Sequence, residues 1–203
     1  MGSKFYRDYG KRRYARIYFI STEGAVTEPQ YFNRFKSDSI RIECIRAIGN
    51  SSPQGVLQRM VKRLDCMSLR AGDEAWLVVD KDRWSDEQLQ PLYEWSNEKG
   101  KKIVNRGLAV SNPKFELWLL LHFSDAHAVD SSASCSNELN KYLKGYKKEI
   151  PAKVFDNGRV NGAIARAKAM DTPPCTDWPR KTGTTIYRLV ESMAELRSEM
   201  IGD

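Results

Sequence analysis

The 203-residue chain holds only two histidines, His122 and His127, and four cysteines, Cys44, Cys66, Cys135 and Cys175, none of them closely paired. That scarcity argues against a zinc site and against a disulfide framework, which both need such residues at short, repeated spacing. No Gly-x-Ser-x-Gly elbow and no Cys–His arrangement stands out for a nucleophilic triad. Lys181-Thr182-Gly183-Thr184-Thr185 has the wrong order for a Walker phosphate loop and lacks its upstream glycine, so any ATP would be bound by another protein. No apolar run approaches the roughly 20 residues that cross a bilayer, and the first residues lack the basic-then-apolar order of a signal peptide. The expectation is a cytoplasmic protein without membrane contact. No internal repeat or low-complexity tract interrupts the chain, and 41% hydrophobic content is enough for the core of one globular domain, residues 1–203.

What is present is acid at the ends of apolar runs. Ala75-Trp76-Leu77-Val78-Val79 reads as a buried strand that stops on Asp80-Lys81-Asp82. In open α/β sheets the carboxyl ends of strands are where ligands bind, and a chain turning at such an end can bring both carboxylates to one divalent ion. Either Asp also suits a cap for the helix starting near Ser85. A second run, Ile17-Tyr18-Phe19-Ile20, leads into Ser21-Thr22-Glu23-Gly24-Ala25-Val26-Thr27-Glu28-Pro29. Gly24 permits a sharp turn after Glu23, and Thr27 and Pro29 suit the cap and first turn of a helix from about 28 to 36. Glu28 has an ordinary reading as an acid favouring the helix dipole; Glu23 has less of one. Carboxylate oxygens in this number suit Mg²⁺ or Mn²⁺ far better than zinc.

A third segment, Ser111-Asn112-Pro113-Lys114-Phe115-Glu116-Leu117-Trp118-Leu119-Leu120-Leu121-His122-Phe123, follows the short strand Gly107-Leu108-Ala109-Val110. Asn112 and Pro113 suit the start of a helix reaching Phe123 with a broad apolar face. Glu116, on its first turn, is either a dipole-favouring acid or a further metal group, and His122 reads as a hydrogen-bonded core histidine. With a strand at 41–47 and helices at about 53–69 and 86–99, strand and helix alternate, which predicts a mainly parallel sheet with right-handed crossovers. Residues 124–136 read as a polar loop, 137–146 and 161–170 as helices, 171–184 as irregular, and 185–200 as a final amphipathic helix.

The formal charge is +7, from 33 Lys and Arg against 26 Asp and Glu. A basic surface around an acidic cleft matches a phosphodiester substrate, with cations gripping phosphates and metal ions neutralising the scissile one. Lys81 and Arg83 flank the proposed site, although strand alternation would turn Lys81 away. Lys141, Lys144, Lys147 and Lys148 surround Tyr142 and Tyr146, rings suited to stacking on unpaired bases; this segment also suits a partner protein. Lys11-Arg12-Arg13, beside Tyr9 and Tyr14, and Lys99-Gly100-Lys101-Lys102 are further basic segments.

Glu-Gly-x-x-Thr-Glu-x-x-Tyr-Phe from Glu23 to Phe32, the Asp80 and Asp82 pair, and the segment from Ser111 to Phe123 together resemble the RloB family over roughly residues 14–195. That family includes the abortive-infection AbiL component of phage-defence operons, and proteins within restriction-modification loci, commonly beside an ATPase gene. It in turn resembles the Toprim fold of topoisomerases, primases and certain nucleases. The resemblance implies an α/β, Toprim-like (Rossmann-like) core over 14–123 with a helical C-terminal appendage over 124–203. It also implies a Mg²⁺- or Mn²⁺-dependent nuclease acting on DNA or RNA, transfer RNA included. Glu23, Asp80 and Asp82 would be catalytic, with Glu28 a further metal ligand. A non-catalytic nucleic-acid-binding or regulatory subunit of a partner ATPase complex is the alternative, and homo-oligomerisation is left open.

Overall fold

The computed structural model describes residues 16–98, 104–151 and 154–199, with side chains to residue 194. The basic segments at 11–13, with Tyr9 and Tyr14, and at 99–102 lie outside the described residues. Four strands, β1 (Arg16–Thr22), β2 (Ile40–Ile45), β3 (Glu74–Asp80) and β4 (Asn105–Asn112), run parallel in the order β2-β1-β3-β4. A two-residue β5 (Gly183–Thr184) adds antiparallel to the free side of β4. The α/β class and mainly parallel sheet agree with the sequence pattern.

Alternation along β3 explains how its continuous apolar run is buried on both faces. Ala75, Leu77 and Val79 face the core under α2 (Pro53–Asp65) and α3 (Asp86–Asn97), where Val56, Met60, Leu89 and Leu92 meet them. Val78 faces the opposite core with α1 (Thr27–Phe32) and α4 (Phe115–Leu120). That second core also takes in α5 (Ser132–Tyr142), α6 (Asn157–Met170) and α7 (Ile186–Glu199). Beneath α1 and α4, Tyr31 stands edge-on to Phe32, Phe115, Trp118 and His122. His122 is buried as expected, its Nε2 3.1 Å from the Tyr31 hydroxyl and its Nδ1 2.9 Å from the Trp118 carbonyl. Burial pushes its pKa down to about 4, so the ring is neutral, with Nδ1 donating and Nε2 accepting.

Several local expectations are corrected. Thr27 caps no helix: α1 starts after Val26, and the Thr27 hydroxyl is instead 2.9 Å from the Tyr146 hydroxyl and donates to the Lys148 carbonyl. The helix expected to reach residue 36 ends at Phe32 and continues only as a 3₁₀ turn over Asn33–Phe35. Asn112 is the last residue of β4, its side chain donating to the Pro179 carbonyl, and Lys114 is the residue before α4. Regular α4 stops at Leu120, because His122 and Phe123 donate to carbonyls three residues back and tighten the last turn. The segment expected to be a loop until 136 starts α5 at Ser132, with the Ser131 hydroxyl accepting from Ser134 N–H.

Candidate active site

The connection from β1 leads to α1 on one face of the sheet, and that from β3 leads to α3 on the other. Adjacent strands whose connections part in this way open a crevice at their carboxyl ends, the switch point of an open α/β sheet. Glu23 directly follows β1, and Asp80 ends β3. Backbone pairing fixes them side by side, since Glu23 N–H continues the ladder to the Val78 carbonyl at 3.0 Å. In turn, Asp80 N–H donates to Glu23 Oε2 at 3.1 Å, while Trp84 Nε1 lies 3.1 and 3.2 Å from the two Glu23 oxygens.

Two further acids close the crevice from α1 and α4. Glu28 folds back so that its Oε1 accepts from Gly24 N–H at 2.8 Å. A Cβ at position 24 would overlap that carboxylate, so a larger residue there would displace the Glu28 side chain from this position. Glu116 stands on the first turn of α4 with Oε1 3.4 Å from the Tyr146 hydroxyl, and Asp80 Oδ1 accepts from Phe115 N–H at 2.8 Å. Asp80 therefore caps α4, not α3, which starts instead at Ser85 with Gln88 reaching back to its N–H.

Glu23, Glu28, Asp80 and Glu116 line one cleft of about 530 Å³, together with the cations Arg83, Lys114 and Lys148. Burial, followed by the charges of Glu28, Glu23 and Glu116, holds the Asp80 carboxyl well above the usual carboxylate range. Burial likewise pushes Glu28 up to about 7, with Glu116 and Glu23 adding to the rise, and raises Glu23. The donor set is all oxygen and fits a hard divalent cation by its chemistry. Each carboxylate is turned toward a protein donor, however, and among the described residues no three acid, His or Cys side chains are gathered closely enough to hold one ion. Ion binding would require them to rotate inward.

The remaining candidates are distributed differently. Asp82 lies beyond β3, exposed, and its Oδ1 accepts from Ser132 Oγ of α5 at 2.8 Å. It remains near enough to contribute to the rise in the Glu23 pKa. Lys81 is turned away from the cleft, as alternation implies, pairing with Asp86 at 2.9 Å and donating to the Trp84 carbonyl. Arg83 lines the cleft with its guanidinium 4.9 Å from the Trp84 ring. Lys148 lines it too; Lys144 and Lys147 are exposed, and Lys141 pairs with Glu138 at 2.6 Å. No helix of the described residues is long and apolar enough to cross a membrane.

A profile of the RloB-like protein family matches residues 18–193, a span that includes every acid of the cleft. The chain belongs to the RloB-like family. No curated protein and no solved structure matches it. In this RloB-like chain two contributors escaped the sequence reading. Lys114 lies in the segment from Ser111 to Phe123, where its neighbours drew attention as cap and acid; it lines the cleft and donates to Ser136 Oγ at 2.6 Å. Arg59 of α2 donates to the Thr22 carbonyl at 3.0 Å and to the Asn50 carbonyl, tying the end of β1 to the loop after β2. A cation beside the acidic motif was a usable signal for Lys114. For Arg59 no local signal existed, because its partners are 37 and 9 residues away.

Proposed function

We propose that this RloB-like protein is a metal-dependent phosphodiester hydrolase acting on DNA or RNA, transfer RNA included. The observation that carries the reading is the convergence of Glu23, Glu28, Asp80 and Glu116 on one switch-point cleft, where burial first and neighbouring acids second raise the pKa values of Glu23, Glu28 and Asp80. Acids so placed gain most from a cation. Their side chains would hold Mg²⁺ or Mn²⁺, with Asp82 joining from the α5 side. The ion would supply Lewis-acid neutralisation of phosphate charge and activation of water. Arg83, Lys114 and Lys148, which line the same cleft, would bind the nonbridging oxygens and fix the phosphate against the acids. Because Glu28 and Asp80 hold protons more tightly than ordinary carboxyls, metal binding would release protons and tighten with rising pH.

The wider setting belongs to the same proposal. A Toprim-type site in an abortive-infection system, working beside a partner ATPase, is what the family resemblance implies. A second reading, a non-catalytic nucleic-acid-binding or regulatory subunit, is favoured by the engagement of Glu23, Glu28 and Asp80 with protein donors. Calorimetric titration of Mn²⁺ into the wild type and Asp80→Asn, followed by hydrolysis assays on labelled DNA and transfer RNA, separates the two. Binding that disappears in the variant, with metal-dependent cleavage, supports the hydrolase. Absence of binding to the wild type overturns it and leaves the subunit reading.

A further inference from the structure

The notable surface outside the acid cleft is the end of α5. Tyr142, its last residue, is 47% exposed, although one face of its ring is stacked on Phe123 with centroids 5.3 Å apart and planes 11° from parallel. Phe123 is itself supported from the core by Phe155 at 5.7 Å, and the Arg159 guanidinium lies 5.2 Å from its ring. The exposed ring is therefore backed by a fixed aromatic layer, while its other face meets solvent.

Cations follow it along the chain. Lys144, Lys147 and Lys148 are exposed, and among the described residues they make no ion pair. The same short segment leads straight to the cleft: Lys148 lines it, and the Tyr146 hydroxyl is anchored at its rim by Thr27 and Glu116. Tyr146 is thereby removed as a stacking surface, which leaves Tyr142 as the ring available.

We propose that Tyr142 is a stacking platform for an unpaired nucleobase, with Lys144, Lys147 and Lys148 guiding the backbone of a single strand between it and the acid cleft. Charge complementarity and a backed, half-exposed ring suit this occupant. Every base has a π-face, so stacking tolerates any sequence, and the surrounding lysines hold phosphates. The cleft end of this track rests on the hydrolase reading. The platform itself does not, and it narrows the substrate class to single-stranded or looped nucleic acid.

The test is fluorescence anisotropy of a labelled short oligothymidylate in EDTA, where neither metal nor cleavage enters, with circular dichroism confirming the fold of each variant. Tyr142→Ala is expected to weaken binding about ten-fold, and Tyr142→Phe to bind as wild type. An abasic strand of the same length should bind the wild type as weakly as the normal strand binds Tyr142→Ala. Lys144→Glu with Lys147→Glu should weaken both strands and flatten the salt dependence. Unchanged affinity in Tyr142→Ala, a wild-type preference for duplex, or equal competition by a polyglutamate peptide would each overturn the platform. Absence of Mn²⁺ binding to the wild type with an intact Tyr142 effect would sink the hydrolase reading alone; Mn²⁺ binding that depends on Asp80 with no Tyr142 effect would sink the platform alone.

Discussion

The two ends of β3 both carry buried or half-buried acid, and the protein satisfies them differently. Where the strand begins, Asp73 accepts from Ile17 N–H and Arg70 N–H through its two oxygens, at 3.0 and 2.9 Å. Beside it Glu74 accepts from Trp76 Nε1 and Ser192 Oγ at 2.7 and 2.8 Å, with Arg16 3.8 Å from its other oxygen. Where the strand ends, Asp80 takes a backbone N–H from Phe115 and shares its surroundings with Glu23, Glu28 and Glu116. The first arrangement locks β1, β3 and α7 together. The second accumulates like charge at a point open to a ligand. Burial of carboxylates is common to both ends; what separates a structural acid from a candidate ligand is the balance of donors against neighbouring acids.

The largest expected contrast is in metal affinity. Asp80→Asn should lower Mn²⁺ affinity about 100-fold or more, and Glu74→Gln should leave it unchanged; isothermal calorimetry on both variants reads the difference. Equal loss in the two would erase the distinction between the ends.

Stability should sort them the other way. Glu74→Ala strands the Trp76 and Ser192 donors and should cost about 3 kcal/mol in urea unfolding, whereas Asp80→Asn without metal should cost nothing. Comparable destabilisation by both would mean that the carboxyl-end acids are structural as well.

The pH dependence sharpens the comparison further. Glu28 has its pKa raised from 4.5 to about 7 in the fold. Its protonated form therefore contributes stability fully present below pH 4.5 and lost as pH rises through 7. In the metal-free protein Glu28→Gln should accordingly be the more stable chain at pH 8, by about 3 kcal/mol, and the gap should close towards pH 4.5. His122 acts in the opposite sense: its depressed pKa means stability is lost as pH falls from 6.5 through 4. The two chains are therefore compared by urea unfolding at each pH, which cancels the histidine. A gap that did not change with pH would contradict the raised Glu28.

The smallest effect is expected at Asp82. Removing its hydroxyl partner with Ser132→Ala should shift stability by no more than about 1 kcal/mol and alter Mn²⁺ affinity only a few-fold. A loss as large as that of Asp80→Asn would move Asp82 into the centre of the site.

The apolar runs made much of this legible in advance. A run that stops on Asp80 and another that stops near Glu23 locate two strand ends, and α/β alternation then makes those ends neighbours. Glu116 was readable as a first-turn acid because Phe115, Trp118 and Leu119 mark the helix. The side-chain directions were not readable, since partners distant in sequence set them. Thr27 looked like a cap until Tyr146 and Lys148, 119 and 121 residues away, claimed its hydroxyl. Asp82 is directed by Ser132, 50 residues on. The early start of α5 was missed for a local reason: Ser131 and Ser134 signal a cap, but the surrounding polar residues read as loop.

Ser132 and Ser136 lie one helical turn apart on α5, and one bonds Asp82 while the other bonds Lys114. A shift of α5 would bear on Asp82 and Lys114 together, whereas Glu23 and Asp80 are held at the strand ends by backbone bonds. Through two serines, one helix thus supports both a cation of the cleft wall and the exposed acid beyond β3.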